Sequence, residues 1–190
     1  MSPALTLWRA FPWDPAAAPG DPFSPLHIQS GQTSGRFDLH DRPPVLYLGE
    51  SAEHALGELL QGFRGRTIGA PHLKRRDRPL AVVDVRVPAG VADGIVDCTD
   101  PAALARHHVK PDQLASHDRG VTQAIARRLH ESGVPGFRWW SVLTGDWHNV
   151  VLFSDRVSAS ALHVGKPEQV TLAHPALARC AAVLGIALGR

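Results

Sequence analysis

The feature that most limits how this chain can fold is a short apolar run followed at once by a helical pattern. Residues 45–48 (Val-Leu-Tyr-Leu) are typical of a buried strand. Ser51 then suits a helix N-cap, and apolar residues recur at helical spacing as far as Leu60. We therefore predict a strand over 45–48 and, directly after it, a helix over about 52–61.

Short segments of both kinds fill the rest of the chain. Strands are predicted over 80–87, 95–98, 137–140 and 150–153, the last two paired around a turn at 144–146, and helices over 102–107, 122–132 and within 174–188. The proline-rich segment 10–30 predicts an irregular lead-in, and Trp8-Arg9 before it a short edge strand. Because strands and helices do not alternate strictly, we predict an α+β fold.

Composition limits the class of protein. A chain of 190 residues with 44% hydrophobic and 20% charged residues is typical of a single globular domain, neither disordered nor a coiled coil. The N-terminus lacks the pattern of a signal peptide, and no apolar stretch is long enough to span a bilayer. The two cysteines, Cys98 and Cys180, form no Cys-x-x-Cys pair and are expected as buried thiols. We expect a cytoplasmic protein without a membrane contact.

Two other classes of site are not expected. The eleven histidines are scattered, and none shows the spacing of a metal site, so no metal is expected. The densest basic run, 74–78, is short and is interrupted by Asp77. With a formal net charge of only +2, a solvated loop before a strand is the favoured interpretation, and direct binding of nucleic acid is not expected.

Three polar or aromatic residues around the first strand and helix are candidate site residues. Arg36 follows Gly35 in a turn where a ligand can approach closely, and a guanidinium can fork onto phosphate oxygens. Tyr47 is the only tyrosine and lies within the apolar strand. Glu58 lies near the apolar face of the helix, where a carboxylate must be solvated, paired or used. Taken singly, Arg36 also fits an exposed surface residue, Tyr47 a core aromatic, and Glu58 a solvated side chain.

Two later residues are weaker candidates. Ser141 follows Trp139-Trp140 at a predicted strand end, but no Gly-x-Ser-x-Gly elbow surrounds it, so it is not predicted as a nucleophile. It suits a ligand hydrogen bond or the start of a turn. Asn149 opens the last predicted strand and suits a backbone cap.

The order of these residues resembles the RES domain family, which is named for an arginine, a glutamate and a serine. The family's Gly-Arg-Trp-Asn segment is matched by 35–38, its Val-Leu-Tyr strand and Glu-Ser helix start by 45–47 and 50–51, and its further polar residues by Glu58, Ser141, Asn149 and Arg9. The resemblance spans about Leu7 to Arg156. It departs at 37–42, where Phe37 and Asp38 replace tryptophan and asparagine and Leu39 to Arg42 replace a Pro-Gly type turn.

This resemblance implies a fold and a function. Members resemble ADP-ribosyltransferases, so it implies a mixed β-sheet core with flanking helices, with a RES domain over 1–156 and an extension over 157–190 that contains a helix. Members are bacterial toxins that consume NAD by hydrolysis or phosphorolysis, and an Xre-like antitoxin is commonly encoded beside them. Catalysis would fall to Glu58, Arg36 and Tyr47, and NAD binding to Arg36, Tyr47, Ser141, Arg9 and Asn149. NAD is then a substrate and no metal is needed.

Two alternatives remain open at this point. At least one kind of family member ADP-ribosylates a protein, so this chain is alternatively a mono-ADP-ribosyltransferase with a cellular protein target. A different class is a non-catalytic module that binds a partner or nucleic acid. An antitoxin that covers the NAD cleft is the partner that the resemblance implies. The altered 37–42 loop is where a change of ADP-ribose acceptor is expected.

Overall fold

The computed structural model of the protein describes residues 4–29, 31, 34–42 and 44–189. Of the expected lead-in over 10–30, Ser30 lies outside the described residues. Its strands are β1 Leu5–Pro12, β2 Val45–Gly49, β3 Thr67–Ile68, β4 Lys74–Arg75, β5 Arg78–Val87, β6 Val96–Asp97, β7 Gly136–Trp140, β8 His148–Phe153, β9 His163–Val164, β10 Glu168–Gln169 and β11 Ala187–Leu188. Its helices are α1 Ala52–Leu60, α2 Ala89–Ala92, α3 Pro101–Arg106, α4 Pro111–Leu114, α5 Arg119–Glu131 and α6 Pro175–Leu184, with 3-10 turns at Gln61–Phe63, Ala70–Leu73 and Ala159–Ala161.

The chain divides into two compact units. The first comprises Met1–Leu5, Ile28–Leu48 and Val87–Leu162, as far as these are described. Its sheet has the order β2-β8-β7-β6, with β6 parallel to β7 and β7 antiparallel to β8. Helices α3 to α5 form the connection from β6 to β7. The core of this unit is aromatic and aliphatic, and it includes Phe37, Val45, Ile125, Leu129, Phe137, Trp139 and Phe153.

The second unit comprises Thr6–His27, Gly49–Arg86 and His163–Arg190. Strand β5 lies between β1 and β10 and also pairs with β4 and β9, while β3 and β11 form a separate parallel pair. Helix α1 packs against α6. The buried side chains of these two helices include Leu56, Leu60, Leu177 and Leu184, each 2% exposed or less.

Local signals in the sequence explain most element boundaries. Ser51 caps α1 by accepting from the His54 amide at 3.2 Å. Asp100 caps α3 in the same way, with Pro101 at the first helical position. Gly185 ends α6 with a left-handed φ of 64°, which glycine adopts without strain. The predicted strands and helices are all present, and the α+β fold with a mixed sheet is confirmed.

Two details of the prediction were wrong. Trp8-Arg9 was expected as a short edge strand, but β1 is eight residues long and has neighbours on both sides, β5 and, at the Trp8–Gly49 pair, the end of β2. Leu7 and Phe11 alternate inward, and the prolines that follow masked this pattern. Helix α5 begins at Arg119 rather than Thr122, because Asp118 caps it.

Both cysteines are free and buried, as expected. Burial raises the pKa of each thiol to about 12. Among the described residues, no helix combines the length and the apolar character that crossing a membrane requires.

The α1–α6 packing predicts a clear difference between two positions of α6. Leu177 is fully buried whereas Val183 is 48% exposed. Leu177→Ala should lower the free energy of unfolding by about 2–5 kcal/mol, because it leaves a cavity. Val183→Ala should change it by no more than about 0.5 kcal/mol. Urea denaturation of both variants tests this, and equal losses would contradict the packing.

Candidate functional site

The Gly35–Asp38 turn of the first unit is organised around one buried carboxylate. Asp38 is 3% exposed. Its Oδ2 accepts from the Gly35 amide at 2.6 Å, and its Oδ1 accepts from the Tyr47 hydroxyl at 2.9 Å. The same hydroxyl accepts from the Phe37 amide at 3.0 Å. The turn is thus tied to strand β2 through Tyr47, and this turn with its contacts is called the motif loop below.

Gly35 is required by this close approach. A Cβ atom at position 35 would lie 2.6 Å from the Tyr47 hydroxyl and would also collide with the Asp38 carboxylate. Any larger residue would therefore separate the two groups that hold the turn.

Tyr47 does not act as a base at neutral pH. Burial raises the pKa of its phenol far above the usual value, and the neighbouring Asp38 charge raises it further. The hydroxyl stays protonated and keeps donating to Asp38. Its role in the geometry is to position the motif loop, while the half-buried ring packs edge-on against Trp139 at a centroid distance of 6.4 Å.

Arg36 is held by main-chain carbonyls at the end of α4. Its Nη2 donates to the Leu114 oxygen at 2.5 Å and to the Ser116 oxygen at 3.2 Å. The Arg36 carbonyl in turn accepts from the Thr122 hydroxyl of α5. The guanidinium is half-buried and lies 5.4 Å from the centre of the Phe37 ring. Both its main chain and its side chain are therefore fixed.

The segment that departs from the family pattern is fastened to α5. Asp41 makes two hydrogen bonds with Arg127, of 2.7 and 2.8 Å, and Arg42 bonds Glu131 at 3.1 Å. The Arg127 hydrogen bond is the main cause that lowers the pKa of Asp41 to about 2, so the pair stays charged at physiological pH. Phe37 is fully buried in the core of the unit. Asp41 and Arg42, which belong to the segment that departs from the family pattern, thus attach this loop to α5.

Strands β7 and β8 form the surface beneath the motif loop. Trp139 packs against Phe37 at a centroid distance of 4.5 Å as well as against Tyr47. Asn149 is paired directly across from Trp139, so both side chains belong to the same face of the sheet. Tyr47 and Asn149 thus lie on the sheet face that carries Trp139, and Phe37, the residue after Arg36, packs on the same face.

Ser141 forms a turn at the end of β7. Its hydroxyl accepts from the Leu143 amide at 3.1 Å, and its own amide donates to the Trp147 carbonyl at 2.7 Å. The residue is 6% exposed. This geometry matches the turn-forming role that the sequence left open.

Glu58 belongs to the second unit, where two side chains orient its carboxylate. The ring Nε2 of His54, one turn earlier on α1, lies 3.4 Å from Oε1. The amide of Gln61 donates to Oε2 at 3.4 Å and to the Glu58 carbonyl at 2.9 Å. His54 is fully buried, while the Glu58 side chain is 30% exposed. The carboxylate is therefore oriented by a buried partner and still reaches solvent.

Arg9, also in the second unit, ties the proline-rich lead-in to β1. Its guanidinium donates to the Pro25 carbonyl and, at 2.6 Å, to the His27 carbonyl. Burial lowers the pKa of Arg9 to about 10, so it remains a cation at neutral pH. Within the described residues, no group of three or more His, Cys, Asp or Glu side chains is placed to hold a metal ion.

Comparison with protein families decides what kind of chain carries these residues. Residues 6–173 match the RES domain, which includes the motif loop, β2 and all of α1. The chain belongs to the RES domain family. The match continues beyond Arg156 to the residue before the N-cap of α6. A search of curated proteins found no match.

This chain is also similar to a chain of a solved structure, the crystal structure of the MbcT–MbcA toxin–antitoxin complex of M. tuberculosis. The match has a TM-score of 0.60 at 16% identity, and it covers 96% of this chain and 90% of that one. At this identity the likeness establishes a shared fold.

Sequence reasoning missed three contributors to the candidate site. Asp38 was treated as a departure from the family, yet it accepts two of the hydrogen bonds that hold the motif loop. His54 precedes Glu58 by one helical turn, and this i, i+4 spacing in the sequence indicates that the two side chains are neighbours. Arg127 is far from Asp41 along the chain, so no local pattern pointed to it.

The hydrogen bonds of the Tyr47 hydroxyl predict that its removal destabilises the fold. Tyr47→Phe deletes the donor to Asp38 and the acceptor for the Phe37 amide, and leaves the buried carboxylate with one bond fewer. The free energy of unfolding should fall by about 1–3 kcal/mol, as measured by urea denaturation. A loss below about 0.5 kcal/mol would show that the hydroxyl does not hold the loop.

Proposed function

We propose that this protein is the toxin of a bacterial toxin–antitoxin system and that it depletes NAD by cleaving the nicotinamide–ribose bond. The observation that carries the proposal is the RES domain match, which includes Arg36, Tyr47 and Glu58 within residues 6–173. The fold likeness to a structure described as a toxin–antitoxin complex supports the toxin role.

The proposed reaction breaks the bond between ribose C1 and the nicotinamide nitrogen. The bonding electron pair leaves with nicotinamide, which becomes neutral, so little acid catalysis is required. The ribose becomes an oxocarbenium-like cation. Water or phosphate then attacks the same carbon; with water, a proton is released and ADP-ribose is formed.

Glu58 is the proposed catalytic carboxylate. A fixed negative charge next to the ribose stabilises the positive charge as it develops, either directly or through a ribose hydroxyl. Two observations support this role: His54 and Gln61 orient the carboxylate, and its partial exposure leaves it accessible to a ligand.

Arg36 and Tyr47 are proposed to bind NAD. The cationic guanidinium of Arg36 would hold the diphosphate or a ribose-side oxygen. Its fixed main chain and side chain support a preorganised contact. The Tyr47 ring would shape the nicotinamide pocket, while its hydroxyl stays with Asp38.

Ser141, Asn149 and Arg9 are assigned supporting roles. Ser141 would hydrogen-bond the nicotinamide ribose or amide through the turn that it caps. Asn149 would contribute from the sheet face that it shares with Trp139. Arg9 would add positive charge for the diphosphate while it holds the lead-in.

An Xre-like antitoxin that covers the NAD cleft is the proposed partner. The cytoplasm is the proposed compartment, because NAD is available there and the two buried thiols suit a reducing environment.

Glu58→Gln tests the catalytic assignment, and Glu53→Gln is the matched control on the same helix. Glu53 pairs with Arg179 at 3.3 Å. Glu58→Gln should retain the fold and lower the rate of nicotinamide release by about a hundredfold or more, because it removes the negative charge. Glu53→Gln should retain nearly full activity. A folded Glu58→Gln variant with wild-type turnover would refute the assignment.

The products identify the acceptor. Wild-type protein is incubated with labelled NAD, with and without phosphate and with a cell extract. We expect free nicotinamide together with free ADP-ribose or its phosphate ester. Label retained on a protein band would instead establish ADP-ribosyl transfer, and no loss of NAD under any condition would favour a non-catalytic module.

His54 is predicted to be a positioning residue for Glu58. His54→Leu should lower kcat by about tenfold to a hundredfold with little change in KM, because the carboxylate loses its buried partner. His54→Gln, which retains a nitrogen donor, should recover part of that loss. The control is His130→Leu, which removes another buried histidine paired with a carboxylate, Asp155 at 2.8 Å, and should leave kcat unchanged. Equal kcat losses in the two leucine variants would indicate a general packing effect.

A further inference from the structure

The positive charge of this chain is concentrated in one short segment. Residues 61–79 contain six of the 20 lysine and arginine residues but only one of the 18 aspartate and glutamate residues. Because the whole chain carries only +2, the remainder is net negative. The six side chains are all exposed, and they are called the basic patch below: Arg64, Arg66, Lys74, Arg75, Arg76 and Arg78.

The fold brings the two parts of this segment together within the second unit. The ring of Phe63 packs edge-on against His72 at a centroid distance of 5.2 Å, which joins the turn that carries Arg64 to the base of the β4–β5 hairpin. Arg75 donates to the Leu59 carbonyl at the end of α1 at 2.8 Å. In the sequence the run at 74–78 looked short, and the structure extends it with Arg64 and Arg66.

The residues at the tip of the β4–β5 hairpin are unfavourable for the stability of the fold. Arg75 and Arg78 face each other across the strands, and like charges at directly opposed positions are destabilising. The two turn residues, Arg76 and Asp77, have left-handed φ angles of 51° and 62°. Asparagine and glycine are the residues that such a turn favours. The turn geometry therefore gives no reason for an arginine at position 76, a local mismatch of the kind that occurs at functional sites.

Nearby acidic groups offset only part of the charge. Arg78 pairs with Asp14 at 3.1 Å, and Asp77 lies at the hairpin tip. A groove of about 470 Å³ beside the hairpin is lined by Ala70, Pro71, Lys74, Arg76 and Asp77. Together, Asp14 and Asp77 carry two negative charges against the six positive charges of the patch.

The composition of the patch favours duplex nucleic acid over an acidic protein. Protein interfaces have an apolar or aromatic centre. Among the described residues, the exposed large apolar side chains are Val142 and Val183, and neither belongs to the patch. Five of the six cations are arginine, which forks onto phosphate oxygens. A single strand would also need exposed aromatic rings for base stacking. The aromatic side chain beside the patch, Phe63, is half-buried and packs against His72.

We propose that the basic patch binds the phosphate backbone of double-stranded nucleic acid without sequence preference. This binding is independent of the proposed NAD chemistry and lies outside its residues. Cations on a two-stranded hairpin and on the adjoining turn would neutralise successive phosphates, and the released counterions would provide the free energy of binding.

Fluorescence anisotropy with a labelled random-sequence DNA duplex tests the proposal. The test variant is Arg64→Gln/Arg66→Gln/Arg76→Asn, in which asparagine suits the left-handed turn position. The control is Arg106→Gln/Arg119→Gln/Arg128→Gln, which removes the same charge from exposed positions of α3 and α5. Circular dichroism and urea denaturation of both variants, expected to match the wild type, show that they are folded.

The wild type should bind at about 50 mM salt and weaken steeply by about 200 mM. The patch variant should bind at least about tenfold more weakly, and the slope of log affinity against log salt should fall by about three, one per cation removed. The control should bind like the wild type. Absent binding, or equal losses in both variants, would overturn the proposal. Binding to polyglutamate but not to duplex would also overturn it and assign the patch to an acidic protein.

Discussion

The buried carboxylate of Asp38 is the constraint on which the motif loop depends. A charge at 3% exposure is stable only when hydrogen bonds replace its lost hydration, and the Gly35 amide and the Tyr47 hydroxyl provide them. This requirement fixes a glycine, an aspartate and a tyrosine together. It also fixes the main chain of Arg36 between them, so the cation is positioned by a structural element rather than by a flexible loop.

The fold was predictable wherever its cause is local. Ser51, Asp100 and Gly185 mark helix ends through their own backbone and side-chain geometry, and the sequence displays them directly. The start of α5 was misplaced because Gly120 and Val121 have low helix propensity and concealed the Asp118 cap. Strand β1 was underestimated because the neighbours that bury both its edges come from distant parts of the chain.

The sequence proposes candidate site residues, but it does not give their contacts. The order of motif residues identified Arg36, Tyr47 and Glu58. What Arg36 touches was not accessible, because its acceptor Leu114 lies 78 residues away and no local pattern encodes that distance. The same limit hid the role of residues 37–42. Their expected effect on the ADP-ribose acceptor stays a prediction. The structure adds that Phe37 is buried in the core and that Asp41 and Arg42 bond to α5.

The attachment of the motif loop to α5 has a consequence for the motions of the first unit. Thr122, Gln123, Arg127 and Glu131 contact this loop or its continuation from successive turns of one helix. Opening of the loop therefore breaks contacts along the whole length of α5. The two should open as one cooperative unit, so that their amide hydrogens report a common free energy of opening. Access to the residues of the motif loop would then be governed by the stability of a thirteen-residue helix rather than by the fast motion of a surface turn.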